Sequence, residues 1–235
     1  MSLMILLAVS VLPIYFFGKL IYDMDQEKEP KKLLKELLFS GAFSCVLVLM
    51  VSYTLGDIIP LFTTDPLTMT FLQKVIYSFL CVGLVEEGCK YLMLYVTTYH
   101  NKEFNFTFDM IVYAVFVSLG FALLENIFYV LEGGIFTGIL RAVTAIPAHA
   151  SNAVFMGIFL SHAKQYEYIN KSKSTIFKVL GVIVPTLLHG VYDTLAFSNA
   201  LLILIGFITT FFTITVIYVK DKQKKDLRLN SYNIE

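Results

Sequence analysis

The chain has 235 residues with 18 basic and 18 acidic side chains, so it carries no net formal charge at neutral pH. It is 57% hydrophobic and 15% charged, with a mean hydropathy of +0.73, against roughly 45–50% and about 25% in soluble domains. That excludes an ordinary soluble domain, and the partner expected is the lipid bilayer, with no nucleic acid. The expectation is one integral membrane domain over residues 1–235, an all-α polytopic bundle.

Seven apolar segments are long enough to cross a bilayer. The first, about 2–22, has no positive residue before Lys19 and no small-residue cleavage pattern, so it reads as a retained span rather than a signal peptide. The second covers about 36–55 and the third about 71–98; the connection between them holds Pro60, Pro66 and two aspartates. Cys45, Cys81 and Cys89 lie inside these two spans and read as small buried hydrophobes, not as a disulfide or CxxC site. The third span also contains Glu86, Glu87 and Lys90. Each ionised side chain at the bilayer centre costs about 2.5–3.5 kcal/mol or more. Lys90 follows Glu86 at i+4 and Glu87 at i+3, so the three share one side of a helix.

The fourth span, about 108–131, carries Glu125 and Asn126. The fifth, about 137–162, has Arg141 near its outer end, then His149 and Asn152; Arg141 is expected to snorkel to the outer headgroups. The sixth, about 176–197, carries His189 and Asp193 and turns at Ser198 and Asn199 into the seventh, about 200–219. Pro147 and Pro185 precede the two histidines and are expected to bend both helices. Gly83, Gly88, Ala153 and Gly157 are expected to let helices pack closely. The basic tail, 220–235, reads as a stop-transfer anchor on anionic lipid.

Lysine and arginine set the orientation. Fifteen of the 18 fall on one face: between Lys19 and Lys35, at Lys102, between Lys164 and Lys178, and in the tail. The N-terminus is therefore expected outside and the C-terminus inside. At 1.5 Å rise per residue, Glu86, Glu125, His149 and His189 then occupy one layer between the midplane and the outer leaflet. Singly, each polar group has a structural use: an intrahelical Glu87–Lys90 pair, asparagine glue at Asn126 and Asn152, a His189–Asp193 pair. Together, three carboxylates and two imidazoles in one layer read as a site. His100 and His162 fall at the inner interface and are excluded.

No GxSxG, HExxH, GxGD or P-loop motif is present, and no cysteine has a histidine near it in sequence. Glutamate with histidine suits direct attack by an activated water, the carboxylate as general base and the imidazole sharing the water or stabilising the oxyanion. Two histidines and a glutamate also suit Zn²⁺ with an open position for water. The sequence does not choose between metal-free and metal-assisted attack, and no cofactor is assigned. Intramembrane Glu, His and Lys also build ion relays. The alternatives are thus a proton- or cation-coupled transporter, against which no inverted repeat is found, and a non-catalytic membrane scaffold.

Four motifs in order, Glu86-Glu87-x-x-Lys90, Phe121-x-x-x-Glu125-Asn126, His149 with Gly157 eight residues on, and His189-x-x-Tyr192-Asp193, resemble the signature set of the PrsW family. These are polytopic bacterial membrane proteases within the superfamily of CAAX prenyl endopeptidases and bacteriocin-processing proteins. The resemblance covers about residues 72–197. It implies a multi-pass protein of the bacterial cell membrane whose partner is a membrane-protein substrate, an anti-sigma factor in which it makes the site-1 cut on the extracytoplasmic side. It also implies Glu86 as general base, Glu87 and Lys90 orienting and tuning it, and His189 with Asp193 contacting the water or oxyanion. Prenyl endopeptidases carry Phe-x-x-x-His where this chain has Phe121-x-x-x-Glu125, which leaves open whether His149 supplies the missing imidazole. The candidate catalytic set is therefore Glu86, Glu87, Glu125, His149 and His189, supported by Lys90, Asn126, Asn152 and Asp193.

Overall fold

A computed structural model describes residues 3–229. Among them the chain forms α1 (Leu3–Met24), α2 (Lys31–Gly56), α3 (Phe71–Ile76), a π-helical segment (Tyr77–Gly83), α4 (Leu84–Thr98), α5 (Asp109–Val143), α6 (Ala145–Gln165), α7 (Lys171–Phe197) and α8 (Leu201–Lys224). Two short 3₁₀ turns at Pro60–Phe62 and Pro66–Thr68 join α2 to α3. A Thr70–Gln73 capping box starts α3 and Asn170 caps α7.

Among the described residues, five helical runs are long and apolar enough to cross a membrane: Met4–Met24, Lys31–Gly56, Asp109–Gln165, Lys171–Phe197 and Leu201–Lys224. The sequence predicts seven segments, and the difference has two causes. The third is divided into α3, the π segment and α4, none of which is a long apolar helix alone. The fourth and fifth form one run of 57 residues, broken at Gly134, whose φ of 76° is left-handed. Only glycine adopts that conformation without strain. There α5 folds back, so that Gly138 lies against Val130.

The first half of α5 is the core. Met110 to Ala122 is buried on every side, in contact with α1, α2 and α6, as expected of a helix apolar all round. Close approach is built into two crossings. A Cβ on Gly41 would strike the Val117 carbonyl, and one on Gly157 would lie 2.6 Å from Ile111 Cα. Gly83 and Gly157 thus do the packing expected of them; Gly88 does not, since nothing lies within 4 Å of a Cβ built there. Outward faces carry exposed apolar side chains such as Phe16, Phe39, Tyr53 and Leu202, the surface a bilayer would cover.

The expected bend at Pro147 is absent because Pro147 is the third residue of α6, in the first turn, where its missing N–H removes no helical bond. Pro185 lies inside an unbroken α7. Cys45 and Cys81 are buried, and all three cysteines are free.

The basic ends of the helices meet at one end of the bundle. Gln26 donates to the Gln223 carbonyl, Gln223 to the Met24 carbonyl, and Leu229 N–H to the Asn105 carbonyl. The start of the tail is therefore docked on the α4–α5 loop; its last six residues lie outside the described residues. In the α1–α2 loop, Asp25 and Glu29 are buried, Glu29 accepting from Tyr113 Oη at 2.7 Å. Burial pushes the Glu29 carboxyl up to about 7 and the Asp25 carboxyl up to about 6.

Candidate active site

Glu86 and Glu87 begin α4 directly after the π segment. A π turn widens the helix and changes which face the following residues present. Here the widened segment is fitted to α7: a Cβ on Gly83 would lie 3.0 Å from the Thr186 carbonyl, and one on Gly190 would lie 2.5 Å from the Phe79 ring. This contact sets the two glutamates against His189. At the far end Lys74 Nζ donates to the last carbonyl of α7, that of Phe197, at 2.8 Å.

The groups meet around one ammonium. Lys90 Nζ donates to Glu86 Oε2 at 3.1 Å and Glu87 Oε1 at 2.9 Å, and lies 3.1 Å from His149 Nδ1. It also sits 3.9 Å over the Phe121 ring. His189 Nδ1 is 2.8 Å from Glu87 Oε1, and its Nε2 is 3.4 Å from Asp193 Oδ2 and 3.8 Å from Glu86 Oε2. His149 Nε2 is 3.0 Å from Glu125 Oε2, and the two imidazole rings lie 5.4 Å apart. Ser118 Oγ donates to the His149 carbonyl at 2.9 Å and fixes the start of α6 on α5.

A cavity of about 740 Å³ opens onto this network, its polar wall formed by Glu86, Glu125, Arg141, His149, His189 and Asp193. Glu87 and Lys90 stand behind that wall, 0% and 1% exposed, while Glu86 is 7% exposed. The adjacent glutamates are thus unequal: one faces the cavity and the other anchors a lysine and a histidine.

Of the residues singled out from the sequence, Glu86, Glu87, Lys90, Glu125, His149, His189 and Asp193 come together. Asn126 supports them by accepting from Arg141 Nε at 3.0 Å. Asn152 is buried, but its Oδ1 has no hydrogen-bond partner among the described residues. Arg141 does not snorkel: its Nη2 donates to Glu125 Oε2 at 2.6 Å, and its side chain is 13% exposed. The signal for this lay in the Gly133–Gly134 pair. A hairpin reversing there sets Asn126 and Arg141 equally far from the turn, and hence side by side.

Glu86, Glu87, His149 and His189 each offer a ligand atom within 4.8 Å of the others, all buried. Two carboxylates and two imidazoles are a donor set that suits Zn²⁺. Lys90 bridges three of the four, so a metal would compete with a cation already supplied by the chain.

Residues 29–219 match the PrsW family of intramembrane metalloproteases. The chain is 30% identical over 217 residues to Protease PrsW of Oceanobacillus iheyensis, covering 92% of this chain and 94% of that protein. It is 34% identical over 199 residues to Protease PrsW of Clostridioides difficile, covering 80% and 77%. Protease PrsW of Bacillus subtilis is 38% identical over 125 residues, 52% of this chain and 56% of that protein. No solved structure matches. With the polar network and the apolar helices around it, these likenesses establish that the chain belongs to the PrsW family of intramembrane proteases and is a multi-pass protein of a bacterial membrane.

Proposed function

We propose that the protein is an endopeptidase that cuts a single-span membrane protein of the anti-sigma-factor kind near its extracytoplasmic juxtamembrane region. The observation that carries the reading is the convergence of Glu86, His149 and His189, from three different helices, on the wall of one cavity. The accompanying topology has seven crossings, N-terminus outside and C-terminus inside. It is supported by the meeting of the α1 and α8 C-terminal ends with the α4–α5 loop at the lysine-rich end.

In this reading Glu86 takes the proton of the attacking water, because it faces the cavity while Glu87 does not. Glu87 and Lys90 hold Glu86 and His189 in register. His189 Nε2, held between Asp193 and Glu86, donates to the water or to the developing oxyanion. His149 Nδ1 faces the Lys90 ammonium that also holds Glu86 and Glu87. In the metal-assisted alternative, Glu86, Glu87, His149 and His189 would instead be ligands of the metal that the family description implies, in place of the base and donor roles and in competition with Lys90. Such an ion, when bound, supplies Lewis acidity to water and carbonyl.

The test is cleavage of a single-span candidate substrate by purified protein in liposomes, with and without a chelator. Glu86→Gln should lower the rate by about 10²–10⁴-fold, the usual weight of a general base, and His189→Ala should abolish measurable cleavage. Undiminished cleavage by both variants removes the proposed chemistry. Loss on chelation with recovery on added Zn²⁺ assigns metal-assisted attack; indifference to the chelator assigns attack by glutamate alone.

A further inference from the structure

Arg141 enters the network from the folded-back end of α5, and three groups on the same helix before the break at Gly134 hold it. Nη2 donates to Glu125 Oε2 at 2.6 Å, Nε donates to Asn126 Oδ1 at 3.0 Å, and the guanidinium lies 4.1 Å over the Tyr129 ring. Asn126 is tied in turn to α1 through the Ser10 carbonyl. An arginine serving headgroups would keep its charge in water; this one is spent inside the protein. Lysine could not replace it, because only a planar fork meets a carboxylate and an amide while stacking on a ring.

The Glu125 oxygen that accepts from Arg141 also faces His149 Nε2, at 3.0 Å. An oxygen held this way accepts, so the His149 hydrogen sits on Nε2. On the other side of the ring Nδ1 is 3.1 Å from Lys90 Nζ, which can only donate. Both neighbours require the same arrangement: hydrogen on Nε2, lone pair on Nδ1 turned toward Lys90.

We propose that Arg141 is a positioning residue of the active site, acting through Glu125 to fix the orientation and tautomer of His149. Its catalytic consequence rests on the protease reading; its geometric content does not. A partner of this kind, one step removed from the reacting atoms, is usually worth about 10–100-fold in activity. The rival role is direct, since Arg141 also lines the cavity and would grip an acidic group of the substrate. The two roles differ in what they move: positioning moves kcat and the imidazole, gripping moves KM alone.

The chain has four histidines, so ¹⁵N imidazole spectra of the labelled protein, recorded with chelator present, resolve His149 directly. Wild type should show His149 with hydrogen on Nε2 and a bare Nδ1. Arg141→Gln and Glu125→Leu should each shift the His149 Nε2 signal as the ring loses its fixed acceptor, and the double variant should do no more than either. Arg141→Lys should restore part of the wild-type pattern. His100 and His162, at the lysine-rich end, report the fold; where Arg141→Gln disturbs them too, Arg141→Lys alone decides, a partial shift at His149 supporting the proposal and an unchanged ring overturning it. In liposomes Arg141→Gln should lose about 10–100-fold in kcat with KM unchanged. An unchanged His149 spectrum, additive effects in the double variant, or a loss carried entirely by KM overturns the proposal. Absence of cleavage by wild type would sink the protease reading while leaving the spectra to decide the placement.

Discussion

Removing the Lys90 ammonium should cost more stability than removing any other single polar group in the site. Lys90→Met keeps the length of the side chain and deletes its charge. The ammonium joins two carboxylates at 2.9 and 3.1 Å, meets His149 at 3.1 Å and covers the Phe121 ring at 3.9 Å. Without it, Glu87 and Glu86 remain 0% and 7% exposed beside each other with no fixed cation between them. Breaking a buried ion pair from one side costs about 3–5 kcal/mol, and a desolvated cation over a ring adds up to about 2. Against a total stability of about 5–15 kcal/mol, the variant should unfold far more readily in mild detergent. Much of that cost belongs to the abandoned carboxylate, so Lys90→Met with Glu87→Gln should be more stable than the sum of the single changes, by about 2 kcal/mol or more. The assay is denaturant and thermal unfolding of the four proteins of this cycle. Additivity within about 0.5 kcal/mol, or a Lys90→Met loss below about 1 kcal/mol, would refute the idea that one ammonium holds the hub.

Two further predictions concern positions outside the hub. Gly190→Ala should force the Phe79 ring aside, costing about 1–3 kcal/mol and lowering cleavage by displacing α7 from the glutamates; Phe79→Leu in the same chain should recover part of both, and a silent Gly190→Ala contradicts the account of the π segment. At the lysine-rich end, burial raises the Glu29 and Asp25 carboxyls from 4.5 to about 7 and from 3.8 to about 6. The folded state binds these protons more tightly than the unfolded chain, so their stabilisation is complete below about pH 4 and is lost as pH rises through about 6 and 7. Glu29→Gln should flatten that fall and melt above wild type at about pH 8; parallel melting-temperature curves for the two proteins across this window would refute the assignment.

Membrane residence, the helical class and nearly the whole roster of polar residues were legible in the sequence. Hydropathy is a property of a local stretch, and a carboxylate such as Glu86 or Glu125 in such a stretch is anomalous whatever surrounds it. Rise per residue then placed Glu86, Glu125, His149 and His189 at similar depth. Depth is one coordinate, and a site needs rotation about each helix axis and the order of helices around it as well. Those came from tertiary packing: the π segment that turns Glu86 to the cavity and Glu87 behind it, the left-handed Gly134 that returns Arg141 to Glu125, and the Gly190–Phe79 fit that brings His189 to Glu87. Asn152 and Gly88 carry the same sequence signals as their neighbours, yet among the described residues Asn152 Oδ1 has no hydrogen-bond partner and nothing packs on Gly88, because shared depth and small size do not determine what stands opposite. The sequence by itself determined which residues must be hidden from lipid; only the folded chain decided which of them face one another, since that depends on contacts between segments many residues apart.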